Sequence, residues 1–173
     1  MQNLAAVYFP RVSLEKINVL RQKYDPGWKI INPHITLVFP VSDVSEEQLL
    51  KHIETITQEV KSFPIILSGL MKSFDDYLFL QVKDGNKEII NLRDKLYSGI
   101  FAPYVQTDIP FVPHITLGYF RTVDNEFDKE LYNKACLEAE DMDINIHDCF
   151  DNVAFIKGDG LSPARIIKTF SLE

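Results

Sequence analysis

The sequence Asn32-Pro33-His34-Ile35-Thr36-Leu37-Val38-Phe39 returns 80 positions later as Val112-Pro113-His114-Ile115-Thr116-Leu117-Gly118-Tyr119. In both copies a proline precedes the histidine, and proline suits the first position of a strand because it has no N–H for the ladder. Residues i and i+2 of a strand share one face of the sheet. We therefore predict that each histidine points the same way as the threonine two residues later. The isoleucine between them and the leucine after the threonine should point the other way, into a core.

The segments around the two copies correspond as well, which extends the repeat over most of the chain. Apolar patterning predicts a strand over 4–9 and a helix over 13–24 before the first copy, and a strand over 77–82 and a helix over 86–98 before the second. A helix is expected after each copy, from about Ser45, a possible N-cap paired with Gln48, and over 126–137.

Further strands are expected at the end of each half. The strand over 65–70 is assigned to the first half, those over 144–146 and 153–157 to the second, and a last strand over 165–170 follows a tight turn at 158–160. No linker-like segment separates the halves. The sequence predicts one α+β unit over residues 1–173, in which two lobes related by a pseudo-twofold axis have antiparallel sheets lining a central cleft and helices outside.

Composition narrows the class of protein. The 173 residues are 46% hydrophobic and 25% charged, as in globular proteins, and the net charge is −7. Proteins that hold long nucleic acid usually present a basic face, so the charge favours a small or terminal phosphate ester over a long duplex.

Other sequence features indicate a cellular compartment and exclude some cofactors. No apolar run approaches the roughly 20 residues needed to cross a bilayer, and residues 1–7 lack the pattern of a signal peptide. Cys136 and Cys149 form no CxxC pair, and no His/Cys cluster has zinc-ligand spacing. We therefore expect a cytoplasmic protein with free thiols, without a metal, a cofactor or a membrane partner.

Paired histidines suit phosphodiester chemistry. Imidazole has an ordinary pKa near 6.5, so one ring can accept a proton from the attacking oxygen while another, protonated, donates to the leaving oxygen. A threonine hydroxyl on the same face can donate a hydrogen bond to a non-bridging phosphate oxygen. The less specific interpretation is that His34 and His114 are strand histidines satisfied by local hydrogen bonds.

The two His-Ile-Thr-Leu motifs, at His34 and His114, resemble those of the 2H phosphoesterase superfamily, which includes RNA 2′,3′-cyclic phosphodiesterases, also called 2′-5′ RNA ligases. The resemblance covers most of the chain. It implies a two-lobed fold with a central cleft, catalysis by both histidines and phosphate contacts from Thr36 and Thr116. One departure is Tyr119, where the bacterial RNA-ligase branch is expected to have arginine; Arg121 follows two residues later.

The expected function is therefore hydrolysis of a cyclic or small phosphodiester, with a nucleotide or an RNA 2′,3′-cyclic phosphate end as the leading substrate class. A module that binds nucleotides or RNA ends without turnover, and a ligase that forms 2′-5′ linkages, are the alternatives. The sequence does not distinguish which histidine is the base, and it leaves the oligomeric state open.

Four further side chains are candidates for substrate binding because they lie near the motifs or carry positive charge. Tyr8, Phe39 and Tyr119 could stack on a base, although each is as readily explained by core packing. Lys157 could supply positive charge to the phosphate, although a solvated surface position is the simpler explanation.

Overall fold

A computed structural model of the chain describes residues 3–173. In this part of the chain, strands alternate with helices in two similar runs, and the second run ends in three strands. The elements are β1 (Asn3–Tyr8), α1 (Glu15–Tyr24), β2 (Ile35–Val41), α2 (Glu46–Thr57), β3 (Phe63–Lys72), β4 (Tyr77–Asp84), α3 (Asn86–Leu96), a 3₁₀ helix (Gly99–Tyr104), β5 (His114–Tyr119), α4 (Lys129–Asp141), β6 (Asn145–Phe150), β7 (Asn152–Gly158) and β8 (Arg165–Ser171).

The strands form two four-stranded sheets, ordered β2-β1-β7-β8 and β5-β4-β3-β6, and every pairing is antiparallel. The motif strands β2 and β5 occupy corresponding edges of the two sheets. One continuous core includes side chains of both sheets and of all four helices. The predicted fold class, α+β with two antiparallel sheets, is confirmed.

The assignment of the closing strands to the two halves was wrong. β3 pairs with β4 and β6 in the sheet of the second motif, whereas β7 and β8 complete the sheet of the first motif through β1. The connection between β3 and β4 is only the segment 73–76, and such short connections produce hairpins. The first half therefore contributes β3 to the sheet of the second motif, and the second half contributes β7 and β8 to the sheet of the first motif.

Helices also cross between the halves. α1, from the first run, packs against β5, and α3, from the second run, packs against β2. Gly118 of β5 permits the first of these contacts, because a Cβ there would lie 2.7 Å from Tyr24 of α1 and from the Phe120 ring. At the second contact, the backbone N–H of Phe39 donates to the Tyr97 hydroxyl at 3.0 Å.

Two observed boundaries differ from the predicted ones, and each difference has a local cause. The helix expected over 126–137 starts at Lys129, because Asp128 caps it by accepting from the Leu131 N–H at 2.9 Å. The tight turn expected at 158–160 is instead the loop 159–164, in which Gly160 has a φ of +76° and the Asp159 carboxylate accepts two backbone N–H groups. Within residues 3–173, no helix is both long and apolar enough to traverse a bilayer.

Tyr8 joins the two sheets, which corrects its prediction as a substrate-binding residue. Its side chain is fully buried and stacks on Phe150 with ring centroids 4.1 Å apart. The hydroxyl, on β1 of one sheet, donates to the Asp148 carboxylate on β6 of the other at 2.7 Å and also lies 2.9 Å from the Cys149 carbonyl oxygen. A buried side chain with these partners has no surface left for a ligand.

Replacing Tyr8 by phenylalanine should lower the free energy of unfolding by about 1–2 kcal/mol, because the variant loses a hydrogen bond to a carboxylate and keeps its ring packing. Urea denaturation of both proteins measures the difference. Tyr119→Phe, which removes a hydroxyl from a half-buried ring on the other sheet, is the matched control and should change stability by less than about 0.5 kcal/mol. Equal stabilities of wild type and Tyr8→Phe would show that this bond does not stabilise the joined sheets.

Candidate active site

The two motif strands, next to or within which the histidines lie, approach each other. His34 directly precedes β2 and His114 is the first residue of β5, and Cα atoms of these two strands come within 8 Å of each other. Thr36 and Thr116 are half-buried, whereas the isoleucine and leucine of each motif are at most 1% exposed. The alternation of faces predicted from the sequence is therefore observed in both copies.

Each histidine is oriented by the backbone two residues before it. Nδ1 of His34 lies 2.8 Å from the Asn32 carbonyl oxygen, and Nδ1 of His114 lies 2.5 Å from that of Val112. A carbonyl oxygen can only accept, so Nδ1 carries the hydrogen in both rings. The other nitrogen, Nε2, is then a lone-pair acceptor in the neutral ring and a donor in the imidazolium, and is thus available for proton transfer.

The loop before the first motif is fixed by a buried ion pair. Arg21 Nε donates to the Asp25 carboxylate at 2.8 Å, and both side chains are less than 10% exposed. Arg21 also donates to the Ile31 carbonyl oxygen at 2.9 Å, while the other Asp25 oxygen accepts from the Gly27 N–H at 2.8 Å. The pair holds the segment 25–31 against α1 and so positions His34 at its end.

Both histidines have lowered pKa values. Burial lowers the pKa of His34 to about 4, and the charges of Arg21 and His114 act in the same direction. Burial also lowers the pKa of His114, although the Val112 carbonyl and the Asp75 carboxylate oppose the shift. In the unliganded protein at neutral pH, both rings are therefore neutral.

Aromatic rings flank both histidines, but unequally. Phe79 of β4 stacks on His114 with ring centroids 3.5 Å apart and planes 16° from parallel. Phe9 lies 6.0 Å from His34 at an angle of 59°. Phe79 is directly opposite Thr116 in the sheet, so it supports both polar side chains of the second motif.

A cavity of about 530 Å³ opens beside the motifs, within the range of small-molecule sites. Its walls are both motif strands, the β3–β4 hairpin and the segment before β5. The lining residues are Thr36, Phe39, Met71, Lys72, Ser73, Phe74, Asp75, Tyr77, Phe79, Gln106, Ile109, Pro110, Phe111, Val112, His114 and Thr116.

Phe39 is the one of the four additional candidates that lines this cavity. Tyr119 packs on Tyr77 with ring centroids 4.6 Å apart and lies outside the lining. The prediction that Lys157 faces the phosphate was wrong. Lys157 is directly opposite Leu4 in the sheet, and directly opposite residues share a face. The Leu4 side chain belongs to the core beneath the helices, so Lys157 is on the helix side of the sheet. Lys157 pairs there with Glu46 of α2 at 3.1 Å.

Arg121 does not replace the arginine expected at position 119. Its Nε donates to the Asp76 carboxylate at 2.9 Å, and an Nη donates to the Asn125 side chain at 3.1 Å. The bond to Asp76 holds it at the tip of the β3–β4 hairpin.

Sequence analysis missed the hairpin and the segment before β5 as cavity walls. Asp75, Tyr77 and Phe79 are within or beside a strand that was predicted, and Tyr77 and Phe79 alternate in it as face-sharing residues do. The register that places Phe79 beside Thr116 depends on pairing between distant strands, which alternation alone does not reveal. Among residues 3–173, no three His, Cys, Asp or Glu side chains cluster as metal ligands would.

Comparison with known proteins is consistent with this geometry. A family model described as the 2′-5′ RNA ligase superfamily matches residues 9–159. The chain belongs to this superfamily. A relative from Bacillus cereus, named provisionally as a phosphoesterase, is 30% identical over 120 residues, covering 66% of this chain and 68% of its own. Another from Bacillus licheniformis, named in the same way, is 29% identical over 129 residues, covering 70% and 73%.

Solved structures of other bacterial proteins share the fold. Escherichia coli LigT in complex with 3′-AMP has a TM-score of 0.65 at 20% identity, over 99% of this chain and 98% of LigT. A protein from Thermus thermophilus has a TM-score of 0.63 at 18% identity, over 98% and 97%. LigT has also been crystallised with NADP⁺, with ATP and with phosphate.

The histidine geometry predicts a specific tautomer and titration. Nitrogen-15 NMR of the unliganded protein should show His34 and His114 as neutral Nδ1–H rings at pH 7, with His34 becoming imidazolium only near pH 4 and His114 below pH 6.5. Resonances that vanish in His34→Ala and His114→Ala assign the two rings. An Nε2–H tautomer in either ring would contradict the inferred roles of the Asn32 and Val112 carbonyl groups.

Proposed function

We propose that this protein hydrolyses a cyclic or small phosphodiester by acid–base catalysis between His34 and His114. The observation that carries the proposal is the pair of rings, each with Nδ1 bound to its own backbone carbonyl, on two strands whose Thr36, His114 and Thr116 line one cavity. Such an arrangement leaves two Nε2 atoms for proton transfer and two hydroxyls for the phosphate.

The reaction needs one neutral and one protonated ring. The neutral imidazole accepts a proton from water, whose oxygen attacks phosphorus and forms a new P–O bond. The P–O bond to the leaving oxygen breaks, and the imidazolium donates its proton to that oxygen. The product is a phosphate monoester, and the protons redistribute through solvent before the next turnover. These steps call on no metal or cofactor.

The substrate class proposed is a nucleotide or RNA 2′,3′-cyclic phosphate. The cavity volume is sufficient for a nucleotide, and its aromatic lining offers surfaces for stacking on a base. The superfamily name and the nucleotides bound to LigT agree with this class of ligand. Joining RNA ends through a 2′-5′ linkage would use the same two proton transfers in reverse.

The proposed location is the cytoplasm. The free thiols of Cys136 and Cys149 are in keeping with it.

His34→Ala and His114→Ala should each lower kcat for hydrolysis of nucleoside 2′,3′-cyclic monophosphates by ~10²–10⁴-fold, because each removes one proton-transfer group. The assay is run in excess EDTA, with circular dichroism to establish that both variants fold. His147→Ala, which removes an exposed histidine from β6, is the matched control and should retain full activity. More than about a tenth of wild-type activity in either motif variant would rule out the two-histidine mechanism.

Thr36→Val and Thr116→Val should each lower kcat/KM roughly 10- to 100-fold, as expected for loss of one hydrogen bond to a charged group, while the β-branched shape is preserved. Steady-state kinetics with the same cyclic nucleotides measures the effect. Unchanged kinetics in both variants would exclude the hydroxyls from phosphate binding.

The pH dependence of kcat/KM should be a bell on the acidic side of neutrality. Below about pH 4 both rings are protonated and no base remains; as the pH rises through the lowered pKa of His114, both become neutral and no acid remains. This profile is the same whichever ring is the base. A stopped assay from pH 3.5 to 9 measures it, and an alkaline limb centred above pH 6.5 would contradict these assignments. Affinity for the nucleotides without any turnover would indicate a binding module.

A further inference from the structure

Two neighbouring carboxylates at the cavity, Asp75 and Asp76, differ in whether a cation is bound to them. Asp76, at the tip of the β3–β4 hairpin, accepts from Lys72 Nζ at 2.5 Å and from Arg121 Nε at 2.9 Å, so one carboxylate holds both cations. Lys72 Nζ also lies 4.3 Å from the centre of the Phe127 ring. The ammonium group of the one lysine in the cavity lining is therefore already bound to protein.

Asp75, the residue before Asp76, differs from Asp76 in its hydrogen-bonding and ion-pair partners. It lines the cavity and accepts a hydrogen bond from the Ser73 hydroxyl at 2.5 Å. Among residues 3–173, no lysine, arginine or histidine nitrogen lies within the 4.0 Å of an ion pair with it. Its charge acts on His114, whose pKa it raises against the effect of burial. An unpaired carboxylate thus lines the same cavity as His114 and Thr116.

The remaining lining is mostly apolar and flat. The apolar part of the lining includes Phe74, which is 71% exposed at the hairpin tip, and the segment that contains Ile109, Pro110 and Phe111. Phe39 and Tyr77 add two further rings. Rings and aliphatic side chains favour an uncharged planar group, and a carboxylate favours a group that offers N–H or O–H donors.

We infer that the cavity takes an uncharged, flat, hydrogen-bond-donating group attached to a single phosphate, so that the substrate is a mononucleoside cyclic phosphate rather than the cyclic end of an RNA chain. The inference rests on the proposed function for the position of the phosphate. An RNA end would bring a second phosphate into or beside a cavity that is lined by the unpaired Asp75 and that, among residues 3–173, has no free lysine or arginine in its lining, and like charges that close repel.

Binding measurements test the inference without relying on turnover. Isothermal titration calorimetry at low salt compares adenosine 3′-monophosphate with adenosine 3′,5′-bisphosphate, which differ by one phosphate. The monophosphate should bind roughly five- to tenfold more tightly. Asp75→Asn, which keeps an oxygen for Ser73, should reduce that preference to about twofold or less, as should 0.5 M NaCl. Asp141→Asn, which removes the same charge from α4 outside the cavity lining, should leave the preference intact.

Two outcomes would overturn the inference. One is equal or tighter binding of the bisphosphate, above all if Lys83→Gln abolishes it, because Lys83 contacts Gln81, which is directly opposite His114 in the sheet. The other is no binding of either compound.

Kinetics separates this inference from the proposed function. Adenosine 2′,3′-cyclic monophosphate should be hydrolysed with a higher kcat/KM than its 5′-phosphorylated form or a dinucleotide with the same cyclic end. Preferential binding without hydrolysis would refute the proposed function and leave the charge preference standing. Hydrolysis that is as fast for the dinucleotide as for the mononucleotide would support the proposed function and refute the inference.

Discussion

The crossing of the helices between the halves is the constraint on which the candidate site depends. β2 and β5 are edge strands of separate sheets, and no hydrogen-bonded ladder joins them. Their alignment comes from α1 packing behind β5 and α3 behind β2, contacts that require Gly118 and the bond from Phe39 to Tyr97. The exchange of β3 for β7 and β8 between the sheets ties the halves together a second time. The two motif strands, 80 positions apart in sequence, thereby contribute Thr36, His114 and Thr116 to one cavity.

Burial of the histidines has a chemical consequence. A pair of neutral rings can supply a base but no acid, so the free protein at neutral pH lacks one of the two groups that the proposed reaction needs. An anionic phosphodiester between the rings would favour the charged form of one of them, since an opposite charge nearby raises the pKa of an imidazolium. The substrate would thus recruit the proton required for its own cleavage, and an uncharged compound of the same shape would not.

Sequence reasoning succeeded where the information was local and failed where it depended on pairing. The period of two and the preceding proline sufficed to place His34 and Thr36 on one face of a strand. They could not show that β3 belongs to the other sheet, because alternation specifies a face but not a partner. Tyr8 and Lys157 illustrate the same limit: Tyr8 is directly opposite Ile35 of the first motif and Lys157 carries a positive charge, yet Tyr8 is buried between the sheets and Lys157 is on the helix side.

The duplication would by itself give two equivalent histidines, and the residues around them remove that equivalence. Arg21 lowers the pKa of His34 by more than Asp25 raises it, whereas Asp75 raises that of His114. Pushing the pKa values of two catalytic groups apart is how a site holds one acid and one base at a single pH. These charges favour protonation of His114 over protonation of His34. Among residues 3–173, Asp75 has no ion-pair partner that would weaken its effect, so the carboxylate inferred to disfavour a second phosphate in the cavity also favours the imidazolium form of His114. Charge selectivity and proton placement in this site are consequently properties of the same side chain.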